Sequence, residues 1–408
     1  MWPGWTSGAG QGADRLSVDY EPMTGAASPT LRFLRAGTPP NRLLRMGLAA
    51  IYLVLALAAL KNHLIGIYPL GVDLQIPLRA AERWIAGGEV YQASAFTAPP
   101  GATQPFLYPP YVLPFVSLLL GLPRFPLLVV WFGVCLLSAL FTLRRLAFPI
   151  AWWPFVLIWP PFAEGIIAGN VQIPMFACFV ALFWRPSRAG PFLPDERDVA
   201  DPNESPSRLG LLAGAIGALK VSQLQPWLIL VRHRWQAALI AVAAGLLLVA
   251  ATLPITGITL WADWLAQLRR ATDTTWDLGG IALTRFTPPG VGLAVTIVTL
   301  LAVLALPSRG RVGAWVGVLS VLGTPSLHPF GLLFLIPAML IIRRELALIG
   351  ALLITTYTYE GSWAGIVVVS VAFIGTLRWP ALLEETDRSQ DERLSPPGSP
   401  TGGDPTRS

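Results

Sequence analysis

A lone carboxylate stands in the first polar island of an otherwise apolar chain. The island reads LGVDLQIPLRAAERWIAGGEVYQ over residues 70–92 and is followed by a Pro-rich turn and PFLYPPYVLPFVSLLLGLP. Asp73 falls shortly after an apolar helix, at the edge of the hydrocarbon. A carboxylate held there under an apolar roof could take the proton of a hydroxyl that attacks a membrane-bound substrate. It could equally cap the helix that follows. Lys220 interrupts a second apolar run, residues 209–231. A charge at membrane depth costs roughly 2.5–3.5 kcal/mol on insertion scales, so this ammonium needs a partner. A phosphate suits a compact point charge; snorkelling to the headgroups or pairing with Glu164 are the alternatives.

Other polar groups recur at the same end of their apolar runs. Asn170 and Gln172, in Gly169-Asn170-Val171-Gln172, could bond sugar hydroxyls or satisfy backbone at the kink after Pro160-Pro161. Gln225-Pro226 closes the Lys220 interruption, Tyr108 lies within Phe106-Leu107-Tyr108-Pro109-Pro110, and His328 follows the turn Thr324-Pro325-Ser326. A single histidine makes no metal site and reads equally as a satisfied turn residue. Arg269, Arg270 and Arg285 either reach phosphates or decorate an external loop. Trp152, Trp153, Trp261 and Trp264 fit an interfacial belt. There is no G-x-G-x-x-G fingerprint, no P-loop and no metal-ligand spacing. A sugar donor would therefore arrive already activated and already in the membrane.

The elements that must position these groups are apolar helices. Of 408 residues, 54% are hydrophobic and only 13% charged, about half the charge fraction of a soluble domain. The fold expected is an all-α polytopic membrane protein of about 11–13 membrane segments spread over residues 41–380. The net charge of +6 comes with arginines beside apolar spans, which is a topology signal rather than a nucleic-acid footprint. Cys135 and Cys178 lie within apolar runs and behave as small hydrophobes. Residues 1–40 and 384–408 read as disordered cytoplasmic tails and 185–208 as a solvated cytoplasmic linker.

After a first span near Leu44–Leu60, Leu74, Leu78, Ala81 and Ile85 recur at helical spacing opposite Arg79, Glu82 and Arg83. That pattern gives a helix lying in the interface and ending at Gly87-Gly88. Tyr111–Leu122 is too short for a core that needs about 20 residues and reads as a second surface or re-entrant helix, with a short true span as the alternative. A span at Phe125–Leu143 follows, then a run over Phe148–Phe162 broken at Trp159-Pro160-Pro161, then a return through Trp184. Leu209–Val231 reads as two short helices meeting at Lys220–Pro226, because the charge rule places both of its arginine-flanked ends on one side. Trp235–Thr256 crosses again, and an amphipathic Trp261–Arg270 segment sits in the next external loop. Segments at Gly290–Leu306, Ala314–Gly323, Phe330–Ile342, Leu346–Tyr357 and Ser362–Leu377 complete the count.

Asp73, Ala80-Ala81, Gly87-Gly88, Tyr91 and Phe106-Leu107-Tyr108-Pro109-Pro110 resemble glycosyltransferase family 87, the polyprenol-phosphate-mannose-dependent mannosyltransferases of the GT-C superfamily. Gly169-Asn170-Val171-Gln172, Leu219-Lys220 with Gln225-Pro226, and Thr324-Pro325-Ser326 follow in matching order, so the likeness covers roughly residues 45–345. Ile76 and Pro77 stand where tyrosines are expected after the acid. The resemblance implies a GT-C-like bundle in the plasma membrane, both termini cytoplasmic and the site extracytoplasmic. It implies transfer of a mannose-like hexose from a polyprenyl-phosphate donor to a hydroxyl of a lipid-linked or envelope glycan, with inversion. Asp73 then stands in the position of the general base and Lys220, with Arg285, in that of the donor-phosphate contact. Tyr108, Asn170, Gln172, Gln225 and His328 are the candidate substrate contacts. No cofactor is implied, and a divalent ion is left open. Two rivals need the same outer polar residues: a polyprenyl-phosphate lipid flippase, which needs the lysine but no base, and a non-catalytic envelope-assembly subunit.

Overall fold

The computed structural model describes residues 39–64, 70–96, 105–185, 195–220, 223–273, 280–283, 286–308, 310–356 and 358–378. Residues 1–38 and 379–408 (nearly all of the expected tails), all of residues 186–194, and Ser222 and Arg285 lie outside these. The described chain is helical apart from short turns and one two-stranded ribbon. Four helices are long and apolar enough to cross a membrane: Arg42–Lys61, Arg124–Arg145, Trp235–Ala271 and Tyr359–Thr376. A fifth crossing is available if the bent pair Ile150–Leu157 and Pro160–Ala168, which meet at 67°, counts as one span. Five shorter apolar helices pack among them.

Helix α1 (Pro39–Leu64) leads to α2 (Val72–Ile85), which buries Leu74, Pro77, Leu78, Ala80 and Ala81 and turns Arg79 and Glu82 outward. Ile85, expected on the inner face, is exposed. Gly87 in the left-handed region and a Gly88 N–H to Arg83 carbonyl bond (2.8 Å) close the helix, as a glycine cap does. Helix α3 (Val112–Ser117) has six residues, far too few to cross, and packs on α2.

Helix α4 (Arg124–Arg145) crosses, followed by α5 (Trp153–Leu157) and α6 (Pro160–Ala168). The break between them falls at Trp159-Pro160, because a residue before proline is pushed out of the α region; Trp159 is extended at φ −60°, ψ 130°. Helix α7 (Gln172–Phe183) runs into a ribbon of β1 (Trp184–Arg185) against β2 (Asp195–Glu196), paired Trp184 with Glu196. Helices α8 (Pro206–Leu219) and α9 (Gln225–His233) then form the two-helix motif expected around Lys220. Their outer ends meet: Arg234 donates to the carbonyl of Glu204 at 2.6 Å, and a side chain on Gly210 would strike the Ala237 carbonyl. The two helices thus form a hairpin, with Lys220 at its turn.

Helix α10 (Trp235–Asp273) joins the expected span and amphipathic segment into one element, kinked at Gly257 (φ 74°, ψ 155°). At about 57 Å along its contour it is longer than a hydrocarbon core is thick. Helices α11 (Pro289–Ala305), α12 (Val312–Gly323), α13 (Ile336–Met339), α14 (Arg344–Thr355) and α15 (Tyr359–Arg378) follow. Where a helical return was expected at Phe330–Ile342, Pro329–Leu335 is 3₁₀ and only Ile336–Met339 is α. Pro329 and Pro337 have no N–H to donate, so one rung is missing from the α ladder at each end of the 3₁₀ stretch.

Within residues 195–208, expected as a solvated linker, Val199 and Arg197 are buried and Arg197 pairs with Glu204, while Pro202, Asn203, Ser205, Ser207 and Arg208 are exposed. Arg185 bonds Asp201 (2.5 Å) and Glu204 (2.6 Å), and Arg145 donates to the Trp184 carbonyl at 2.9 Å. Both oxygens of Glu196 accept the backbone N–H groups of Arg311 (2.5 Å) and Gly313 (2.9 Å) at the start of α12. An arginine-rich layer therefore holds the C-terminal ends of α4 and α7 and the N-terminal ends of α8, α10 and α12. Helices of 12 to 14 residues carry the chain some 17–20 Å from it. At their far ends lie Asn170, Lys220 and Ser326.

Candidate functional site

Two glycines bring the site together. Gly71 precedes α2 and Gly169 follows α6, both in the left-handed region (φ 69° and 68°). A Cβ on Gly169 would lie 3.5 Å from the Gly71 Cα, ordinary contact distance, and 3.0 Å from the Trp131 ring, so the two glycine backbones pack side by side beneath that indole. The Gly71 N–H donates to the Ile167 carbonyl at 2.9 Å, and the Trp131 indole of α4 donates to the Gly169 carbonyl at 2.7 Å. Asp73 and Asn170 follow these glycines and meet: the Asn170 amide donates to Asp73 Oδ2 at 2.7 Å.

This removes the cap reading of Asp73. Gly71 holds the N-cap position, and no side chain caps the helix. The other end of the Asn170 amide is also engaged, its Oδ1 accepting the Gln172 backbone N–H at 2.8 Å. Asn170 is 7% exposed, and each end of its amide already holds one protein partner. Asp73 itself is half-buried. Burial pushes its carboxyl above the usual range, with the Asn170 bond and the charge of Lys220 opposing.

Lys220, at the corner after α8, donates to Gln172 Oε1 at 3.2 Å and to the Ser326 carbonyl at 3.1 Å. Those are neutral acceptors. The lysine feels the Asp73 charge but is not in ion-pair contact with it. Base candidate and cation are thus linked through two side chains, Asn170 and Gln172, that differ by two positions. Around Lys220, buried amide groups remain unanswered among the described residues: Gln172 Nε2, Gln223 Oε1 and both polar atoms of Gln225. A buried polar group without a partner costs about 1–3 kcal/mol, so such a group marks a place meant for a polar ligand or water.

Tyr108 closes the Asp73 side. Burial first, and then the nearby Asp73 charge, raise its phenol above the ordinary value. Its carbonyl accepts the Tyr91 hydroxyl at 2.8 Å, and the rings of Tyr91, Phe106 and Tyr108 lie in series at 5.5 and 5.7 Å. Two contacts that the sequence does not announce fix this wall. Trp264, on the far part of α10, donates to the Leu107 carbonyl at 3.0 Å; Tyr111 donates to the Ala218 carbonyl at 2.7 Å, two residues before Lys220. His328 stacks on Phe330 with centroids 5.3 Å apart, in the turn whose Ser326 contacts Lys220. Five of the expected residues (Asp73, Tyr108, Asn170, Gln172 and Lys220) thus form one connected site, and Gln225 and His328 flank it. Arg285 lies outside the described residues.

The model of glycosyltransferase family 87 matches residues 106–306. The chain resembles that family. The matched stretch holds Tyr108, Asn170, Gln172, Lys220 and Gln225, while Asp73 and His328 lie outside it and join the others through space. No curated protein and no solved structure matches the chain. The class that this resemblance points to is a membrane glycosyltransferase.

Proposed function

We propose that this family 87-like protein moves a mannose-like hexose from a polyprenyl phosphate to a hydroxyl of a lipid-linked or envelope glycan, on the extracytoplasmic face of the plasma membrane. One observation carries the reading: a half-buried carboxylate and a cation face each other across Asn170 and Gln172, beside unanswered amides. In this reading the acceptor hydroxyl gives its proton to Asp73 as its oxygen bonds to the anomeric carbon. The bond from that carbon to the phosphate oxygen breaks in the same displacement, which inverts the anomeric centre. Negative charge moves onto the departing polyprenyl phosphate, where the Lys220 ammonium offsets it. Gln172, Gln225 and Tyr108 supply polar contacts for the hexose and acceptor, and Arg285 is a further candidate for the phosphate.

The test is sugar transfer by the purified full chain in lipid nanodiscs from radiolabelled polyprenyl-phosphate-mannose. Lys220→Met is expected to raise the donor KM at least tenfold, while Lys220→Arg, which keeps the charge, loses less. Equal losses in both variants would argue against a phosphate contact.

A further inference from the structure

We infer that Asn170 is a positioning residue for Asp73: its amide holds Oδ2, and so presents Oδ1 of the same carboxylate as the atom that receives the acceptor's proton. This rests on the reading of Asp73 as the base. A carboxylate on a short side chain rotates unless something holds it, and a misplacement of about 1 Å can lower a rate a hundredfold. Here the holder is itself held. The Gln172 backbone N–H fixes Asn170 Oδ1 at 2.8 Å, which also settles which end of the amide donates to Asp73. The carbonyl of Asn170 accepts the Cys135 thiol at 3.9 Å, and the carbonyl before it accepts the Trp131 indole at 2.7 Å. Both anchors come from α4. Asn170 is buried to 7% exposure while Asp73 is half-buried, so the amide is the more sheltered of the two.

The groups that face Asp73 from the elements packed around it are Lys220 at the α8–α9 corner, Tyr108 in the Phe106–Pro110 turn, Cys135 on α4 and Asn170 itself. Glu164 belongs to α6, a turn and a half before Asn170. An amide donor favours the charged form of its acceptor. Removing it raises the Asp73 pKa, and the acid limb of activity moves to higher pH.

The experiment is the pH profile of sugar transfer for wild type, Asn170→Ala and Asn170→Asp, with Val171→Ala as a control in the same turn. In parallel, infrared titration of the Asp73 carboxyl band, assigned by difference from Asp73→Asn, reads the same proton without turnover. Asn170→Ala is expected to move both midpoints up by about one unit and to lower kcat about tenfold or more, with donor KM unchanged. Asn170→Asp, which sets two carboxyls together, is expected to move them further, and Val171→Ala not at all. A raised KM with both midpoints in place would make Asn170 a sugar contact and overturn the proposal. An unmoved infrared midpoint would overturn it even in a preparation without transfer activity. Absence of transfer by wild type would fail the glycosyltransfer reading alone.

Discussion

The charge of Asp73 is held in a place that disfavours it, and the sign of that effect has two consequences. Burial raises its pKa above the ordinary carboxylate range, and Asn170 and Lys220 pull it back only in part. A base must be deprotonated to act, so kcat/KM is expected to rise with pH through a limb set above that range. For stability the sign is opposite to that of a salt-bridged acid. The folded state favours the proton, so the contribution of Asp73 is fullest below the unfolded pKa and declines as pH rises through the folded one. Asp73 and Lys220 were legible in the sequence because isolated charges in apolar runs are costly and therefore rare. Asn170 was only half legible: its place in the site followed from the motif, but its partner did not. Trp131, Tyr111 and Trp264 gave no signal at all, since aromatic residues abound in membrane helices and nothing local tells a hydrogen-bonded indole from a belt residue.

At the scale of elements, the turn from Gly169 to Gln172 does the positioning. Gly169→Ala would force a side chain into the left-handed region, at roughly 1–2 kcal/mol, and set a Cβ 3.0 Å from the Trp131 ring. We expect it to lower both thermal stability and transfer activity, whereas Gly217→Ala, where a Cβ meets nothing within 4 Å, should leave both close to wild type; melting by intrinsic fluorescence checks the pair. Helix ends were readable from proline and glycine at Trp159-Pro160 and Gly87-Gly88, whereas Gly257 kinks α10 without ending it. The break into two helices around Lys220 was readable from the charge rule, because both of the motif's outer ends carry arginine. The 3₁₀ segment Pro329–Leu335 was not, because its residues are as apolar as those of any buried helix and hydropathy does not report the ladder.

Across the whole molecule, the arginine-rich layer sets the depth of the site. Its ties converge on Glu204, which meets Arg185 and Arg197 through its side chain and Arg234 through its backbone. Arg197 is 1% exposed, and a buried charge that loses its partner costs about 3–5 kcal/mol. Glu204→Gln is therefore expected to destabilise the protein by several kcal/mol, read as a lower midpoint in detergent-based unfolding, although it lies a helix length from the site. An effect below about 1 kcal/mol would mean that water reaches Arg197. The sequence marked this segment only as charged and Pro-rich, a composition shared by linkers; that its charges pair with one another is a long-range fact.

The central claim is that Asp73 is the base of a sugar transfer. The measurement that tests it most directly compares wild type with Asp73→Asn for transfer from radiolabelled polyprenyl-phosphate-mannose, with unfolding midpoints taken on the same samples. The change keeps the shape of the side chain and removes the proton acceptor. The account predicts that wild type transfers mannose and that Asp73→Asn, equally folded, loses at least a hundredfold in kcat. Transfer by Asp73→Asn at the wild-type rate would contradict it.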